Sequence, residues 1–261
     1  MTDKMNIVLL AAGKGTRLKQ NLAKPLCKAL GTSLVDYVVR ELEKFSAVAS
    51  LKPNYNFVIG YQKEIVEQHV EASFSNLGAK TSWQKEQLGT GHALQTYFEQ
   101  HPNDWENPYT LVVCADTPLL KSEIFESLYR DLKFSDADAI CASFMANNPH
   151  GYGRIEHGDK GFCIVEEKDT NDIQKNIKEV NSALYIFKTS YIKKYINDLT
   201  SNNKSSEFYL TDLLKKEENV IAKVFKDEDS FLGVNNLLQL EKVEEIDLKS
   251  KIGHYEIVFD S

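Results

Sequence analysis

Asn6-Ile7-Val8-Leu9-Leu10-Ala11-Ala12-Gly13-Lys14-Gly15-Thr16-Arg17 decides how the rest of the chain is read. The apolar run from Asn6 to Leu10 leads into small residues and glycine, the pattern of a buried parallel strand. Small residues directly after a strand let backbone N–H groups approach an anion closely. Lys14, Arg17 and, further on, Lys24 supply the positive charge that a triphosphate needs. A surface turn with incidental lysines is the plain alternative, and a lone Gly-x-Gly does not exclude it. Two other nucleotide loops are excluded. The P-loop pattern G-x-x-x-x-G-K-[ST] is absent, and Leu18 stands where a dinucleotide fingerprint has its third glycine.

Outward from this loop, strands and helices alternate. Ser33 to Phe45 has Leu34, Val38, Leu42 and Phe45 at helical spacing, with Ser33 and Asp36 as an N-terminal cap signal. Tyr55 to Ile59, Lys80 to Gln84 and Thr110 to Ala115 read as strands, and Lys63 to Val70, Gly91 to Gln100 and Ser122 to Leu132 as helices. Such alternation implies a parallel sheet with right-handed crossovers. In the second half, Ala139 to Phe144, Arg154 to Glu156, Phe162 to Glu166, Val180 to Phe187 and Val220 to Phe225 read as strands. Ser190 to Leu199, Glu207 to Lys215 and Asn236 to Leu248 read as helices, and Thr170 to Lys178 and Leu199 to Ser206 as polar loops. The expected fold is α/β: a Rossmann-like, doubly wound, mostly parallel sheet with a smaller mixed β region in the second half. No internal repeat or long linker divides it, so one domain over residues 1–261 is expected.

Composition bounds the function. A length of 261 residues suffices for a large core without staples. With 42% hydrophobic and 26% charged residues the chain reads as a soluble globular enzyme. A net charge of -7 argues against a nucleic-acid surface, which needs a basic face. The four cysteines, Cys27, Cys114, Cys141 and Cys163, form no C-x-x-C pair and read as reduced thiols. The apolar run at Ile7 to Ala12 is too short for a signal-peptide core, and no stretch approaches a membrane span. A cytoplasmic protein without nucleic-acid or membrane partners is therefore expected. Nothing here bears on its oligomeric state.

In a doubly wound sheet, ligands sit beyond the carboxyl ends of the strands. Gly13, Gln84 and Asp116 all fall at or just past such ends. In Gln84-Lys85-Glu86-Gln87-Leu88-Gly89-Thr90-Gly91, the Gln84 amide has a donor and an acceptor, which suits a pyrimidine edge. The glycines let backbone groups face a flat base, and a helix start capped by Thr90 is compatible with that role. In Cys114-Ala115-Asp116-Thr117-Pro118, a strand-end carboxylate suits magnesium beside phosphates, because magnesium keeps waters and takes few protein oxygens. A turn or capping aspartate is the equal alternative. Gly153, Glu166, Asn181 and Asn235 are further polar or glycine positions at strand ends or turns. Glu166 and Asn181 have the chemistry to bind sugar hydroxyls, and Asn235 to be a second metal ligand.

Together these segments resemble the uridylyltransferase domain of the bacterial N-acetylglucosamine-1-phosphate uridylyltransferases, within the sugar nucleotidyltransferases. LAAGKGTR at Leu10, KPL at Lys24, EQLGTGHA at Glu86, ADTPLL at Ala115, GYGRI at Gly151, IVEEKD at Ile164, EVN at Glu179, EFYLTDL at Glu207 and GVNN at Gly233 run in family order across nearly the whole chain. The resemblance implies that UTP and N-acetylglucosamine 1-phosphate yield UDP-N-acetylglucosamine, a cell-wall precursor, and pyrophosphate. It implies that Leu10, Ala11, Ala12, Gly13, Gln84, Gly89 and Thr90 hold the nucleotide, with Cys114 and Ala115 beside them. Arg17 and Lys24 would neutralise phosphate charge in catalysis. Gly153, Glu166 and Asn181 would contact the sugar, and Asp116 and Asn235 would bind Mg2+.

Three features depart from the family pattern. Its Tyr-Gly-Asp is Cys114-Ala115-Asp116 here, and its Asn-Thr-Gly is Asn181-Ser182-Ala183. Bifunctional members also carry a C-terminal left-handed β-helix of hexapeptide repeats with acetyltransferase activity, and this sequence has no such repeats. A single nucleotidyltransferase domain without acetyltransfer is thus expected. The competing readings are a different sugar 1-phosphate or nucleotide, and a non-catalytic nucleotide-sugar-binding protein of the same fold.

Overall fold

A computed structural model of the chain describes residues 2–18, 21–159, 161–215 and 219–259. The first half alternates as read: β1 (Lys4–Ala11), a two-residue pair β2 (Lys28–Ala29) and β3 (Thr32–Ser33), α1 (Leu34–Val48), β4 (Lys52–Ile59), α2 (Lys63–Phe74), β5 (Lys80–Trp83), α3 (Thr90–Gln100), β6 (Tyr109–Cys114) and α4 (Ser122–Phe134). The second half adds β7 (Ala139–Met145), β8 (Arg154–Gly158), β9 (Gly161–Val165), β10 (Glu179–Lys188), α5 (Thr189–Tyr195), β11 (Val220–Phe225) and α6 (Leu237–Phe259).

The main sheet runs in the order β11-β7-β10-β6-β1-β4-β5, with β8 and β9 attached beside β10. β1, β4, β5 and β6 are mutually parallel, as are β7 and β11. β10 is antiparallel to both of its long neighbours, β6 and β7, and the β8–β9 pair is antiparallel too. The mostly parallel Rossmann-like sheet with a smaller mixed region is thus the observed architecture.

Strand side chains alternate between two cores, as the period of two requires. Ile7, Leu9, Leu111, Val113, Ile140 and Ile186 face the layer of α1, α2 and α4. Val8, Val112, Cys141, Tyr185 and Phe187 face α3, α5 and Leu210–Leu214. Nearly every residue of β1 and β6 is buried because both faces are covered, which is why these strands read as continuous apolar runs. None of the four cysteines is in a disulfide, and Cys27 and Cys141 are buried. Among the described residues no helix is long and apolar enough to cross a membrane.

Several local readings change. Ser33 is the N-cap of α1, but its side chain caps nothing, and Asp36 bonds His69 on α2 at 2.7 Å instead. Glu207 to Lys215 is not one helix: a 3-10 segment covers only Leu210–Lys215. The reason is tertiary. Phe208 N–H donates to Leu88 O at 2.7 Å and Phe208 O accepts from Gly91 N–H at 2.8 Å, which draws this stretch into pairing with the loop before α3. The helix read over Ser190 to Leu199 is α5 to Tyr195, followed by a 3-10 turn at Ile196–Asp198.

Candidate active site

Two adjoining cavities open beyond the carboxyl ends of β1, β5 and β6. The first, about 390 Å³, is lined by Leu10, Ala11, Ala12, Gly13, Lys24, Gln84, Gly89, Thr90, Cys114, Ala115 and Asp116, together with Pro25, Val58, Gln87, Ala93 and Glu207. The second, about 290 Å³, holds Gly153, Glu166, Asn181 and Asn235 among its walls. Thr90, Cys114, Asp116 and Glu207 line both. One continuous cleft thus gathers every residue that the resemblance assigns to the site except Arg17, while Lys14, also singled out in the sequence, lines neither cavity. Arg17 is exposed on a 3-10 turn (Thr16–Leu18) and lines neither cavity.

The floor of the first cavity is backbone. Ala115 N–H bonds Leu10 O at 3.1 Å, and Gln84 N–H bonds Ile59 O at 2.9 Å, which fixes the end of β6 against β1 and the end of β5 against β4. The loop after β1 folds over Lys24: Lys24 N–H reaches Gly13 O at 3.3 Å, and Gly15 lies in the left-handed region at φ 64°. A Cβ on Gly15 would stand 3.0 Å from the Lys24 stem. Gly15 therefore serves the close approach of this loop to Lys24. Gln84 is buried, and its amide nitrogen bonds Gly89 O at 3.0 Å and His92 Nδ1 at 3.1 Å. With both amide N–H groups engaged, Gln84 has only its amide oxygen left to offer a base.

Thr90 is not a cap. Gly89 occupies the N-cap position of α3 without a side-chain bond, and Thr90 Oγ1 accepts from Leu210 N–H at 3.1 Å. Gly91 packs on Phe208 and Leu199 rather than facing a base. This packing brings in Glu207, which with Asp116 is one of two carboxylates shared by both cavities. Sequence reasoning assigned it no role because it stood inside an expected helix. Its position in EFYLTDL was the available signal.

The centre of the cleft is an ionic cluster. The Lys24 ammonium forms a salt bridge with Asp116 Oδ2 and donates to Asn235 Oδ1 at 2.7 Å. Asn235 is oriented by its own bonds: its amide nitrogen donates to Gly233 O at 3.4 Å and its backbone N–H to Gln239 Oε1 at 2.7 Å. Val234 N–H to Asp116 O at 2.9 Å ties the two segments together. One carboxylate oxygen and one amide oxygen thus converge on a single cation, and that cation is a lysine. This oxygen pair fits Mg2+, which takes one or two protein oxygens and fills its shell with water and phosphate.

The second cavity is built from β8, β9 and β10. Gly153 is needed for contact, since a Cβ there would lie 3.3 Å from Glu166 Oε2. Glu166 Oε1 accepts from Thr211 Oγ1 at 3.0 Å. Asn181 donates to the Tyr185 hydroxyl at 2.6 Å and accepts from Ala183 N–H at 3.0 Å, so it braces a register shift in β10 between Asn181 and Tyr185. Ala183 within that shift has φ 60°, a left-handed conformation rare for a residue with a Cβ. The Cys114 thiol lies 3.9 Å from Ala183 O. Burial, and then the charge of Asp116, pushes that thiol up to about 12. The two side-chain departures noted in the sequence therefore touch and form one wall. Beneath the loop Gly151–Gly153, buried Arg154 donates to Tyr152 O and to Glu167 Oε2, the latter at 2.6 Å.

A strand-end backbone cradle, an ionic centre and a polar second chamber on a Rossmann-like sheet have the arrangement expected of a nucleotidyltransferase. Consistent with that class, residues 7–157 match the family described as "MobA-like NTP transferase domain", and the chain belongs to this family. Along nearly its whole length the chain is similar to proteins named "Bifunctional protein GlmU". It is 34% identical to that of Thermosipho africanus over 92% of this chain and 50% of the relative. With that of Levilactobacillus brevis it shares 37% identity over 92% of this chain and 51% of the relative. The chain thus spans about half the length of these curated relatives. The resemblance read from the motifs is borne out at this level. Solved structures agree on the fold. A UDP-glucose pyrophosphorylase complexed with UDP-glucose superposes with TM-score 0.69 at 19% identity, covering 96% of this chain and 100% of that one. A putative glucose-1-phosphate thymidylyltransferase from Bacillus anthracis gives TM-score 0.70 at 14% identity, covering 93% and 94%.

Proposed function

We propose that this protein is a Mg2+-dependent sugar-1-phosphate uridylyltransferase that joins UTP to N-acetylglucosamine 1-phosphate. The observation that carries the reading is the shared border of the two cavities, where Thr90, Cys114, Asp116 and Glu207 face both and the Lys24–Asp116–Asn235 cluster sits. A nucleotide in the first cavity and a sugar phosphate in the second would meet at that border.

The reaction asks little covalent work of the protein. A phosphate oxygen of the sugar 1-phosphate attacks the α-phosphorus of UTP in line, the bond from that phosphorus to its β-bridging oxygen breaks, and pyrophosphate leaves with the electron pair. Holding both reactants in line and stabilising charge carry the rate. The residues from Leu10 to Gly13 line the phosphate side, and Gln84 offers its amide oxygen to the uracil N3–H. Lys24 neutralises phosphate charge. Arg17 joins it only if the loop after β1 closes over the triphosphate. Gly153, Glu166 and Asn181 line the sugar side. Asp116 and Asn235 would hold Mg2+, which supplies further neutralisation of phosphate charge.

The test is pyrophosphate release across a panel of nucleoside triphosphates and sugar 1-phosphates. UTP with N-acetylglucosamine 1-phosphate is expected to be turned over fastest. A different best pair would overturn the substrate assignment. A second reading, transfer to another sugar 1-phosphate, is favoured by the Cys114–Ala183 wall, because sites that hydrogen-bond or pack on a substrate discriminate strongly when one partner changes. Tight nucleotide binding with no pyrophosphate from any pair would instead identify a binding protein.

A further inference from the structure

A lysine occupies the position where a metal would be held. Lys24 Nζ bridges Asp116 Oδ2 and Asn235 Oδ1, the two oxygens read above as metal ligands, and this inference rests on that reading. The lysine is not loosely placed. Its backbone N–H is bonded to Gly13 O, Gly15 packs against its stem, and Pro25 after it is buried. The ammonium is largely shielded, with a side-chain exposure of 16%. An ammonium and a divalent cation competing for these two oxygens would repel each other strongly, because the like charges would lie within a few ångströms of each other in a poorly screened site.

We propose that Lys24 is a latch on the metal site: it excludes the divalent cation until a triphosphate draws the ammonium away. Triphosphate oxygens offer Lys24 a stronger partner than Asp116, and its release exposes both metal ligands at the moment the phosphates arrive to complete the shell. Metal and nucleotide then load together. A latched site would not hold a divalent cation that attracts pyrophosphate or nucleoside diphosphates unproductively. Lys24 thereby acts on the site twice, as placeholder before binding and as phosphate partner after it.

The experiment measures Mn2+ binding to the full chain without nucleotide, from the loss of the free-ion paramagnetic resonance signal. Wild type and Lys24→Arg, which keep the cation, should bind weakly. Lys24→Met, which keeps the stem that Gly15 packs on, should bind at least about tenfold more tightly, since a repelling charge has gone. Lys24→Ala replaces it if the methionine variant does not fold, with circular dichroism as the check. Equal Mn2+ affinity in wild type and in the folded, uncharged variant overturns the latch. A gain that survives added Asp116→Ala places the cation elsewhere and overturns both the latch and the ligand assignment. If Mn2+ behaves as expected but N-acetylglucosamine 1-phosphate is not a substrate, only the substrate assignment falls.

Discussion

Gly89→Ala should damage fold and function together, and the structure sets the size of the loss. Gly89 has φ 115° and ψ 176°, backbone that an L side chain rarely adopts. Forcing alanine into it costs about 1–3 kcal/mol. The new Cβ would also stand 2.5 Å from Phe208 O and 2.9 Å from Phe208 N, and both are backbone atoms that cannot rotate aside. The loop must therefore lift from the Glu207–Leu210 stretch. That breaks the bonds from Phe208 N–H to Leu88 O and from Gly91 N–H to Phe208 O, each worth about 1 kcal/mol net. The sum is roughly 3–5 kcal/mol, a large share of the ~5–15 kcal/mol that a domain has. Urea unfolding followed by the fluorescence of Trp83 and Trp105 would read it. Because Thr90 and Glu207 border both cavities, KM should rise for nucleotide and sugar phosphate alike. A variant within about 1 kcal/mol of wild type, with both KM values unchanged, would refute the packing argument.

Ala183→Gly should stabilise the protein by about 0.5–1 kcal/mol, because relief of a left-handed alanine outweighs the extra freedom glycine has when unfolded. Thermal unfolding should show a midpoint raised by roughly 1–3 °C, and a lower midpoint would mean that the methyl group is packed rather than strained. Burial raises the Glu167 carboxyl, but the Arg154 hydrogen bond and charge, a backbone bond from Gly151 and the nearby His150 outweigh it, and the group titrates below its ordinary 4.5. Its contribution is therefore present above pH 4.5 and is lost as pH falls through the folded value. Glu167→Gln should flatten the urea midpoint against pH below 4.5, and an unaltered slope there would count against the ion pair. The Cys114 thiol, raised to about 12, should react slowly with iodoacetamide at neutral pH even though it lines the cleft. Rapid labelling assigned to Cys114 by mass spectrometry would contradict that.

What the sequence made legible follows from which interactions are local. Gly13, Gln84 and Asp116 could be placed on one face because strand ends in a parallel sheet share a side. β1 and β6 could be read because burial on both faces leaves an unbroken apolar run. Lys24 could be named as a cation near phosphate, but its pairing with Asn235 joins residues 211 positions apart, and no local pattern encodes that. Glu207 was hidden for a related reason. Helical spacing in Glu207 to Lys215 is a weak preference, and two backbone bonds to the loop before α3 override it. The capping signals at Ser33 and Thr90 misled for the opposite reason. Residue type marked a helix start correctly, but tertiary partners took the side chains: His69 bonds Asp36, and Leu210 bonds Thr90.

β10 explains why the second half of the chain, outside the family match at residues 7–157, still shapes the site. It enters the sheet antiparallel between β6 and β7, so it is bonded on one side to the strand that carries Cys114 and leads to Asp116. On the other side it is bonded to β7, and it also pairs with β8 at Arg154, next to Gly153. A regular strand in that place would run flat past the cleft. The register shift between Asn181 and Tyr185 breaks the ladder along the second cavity, and it is fixed from three directions. Asn181 holds the Ala183 amide, Ser182 Oγ bonds Ala142 O at 2.7 Å, and the Cys114 thiol faces the Ala183 carbonyl. An irregularity held this firmly is a built feature. It makes a strand inside the sheet into a wall of the second cavity. Because Cys114 and Ala183 meet there, the wall of the second cavity is shaped by both residues acting together.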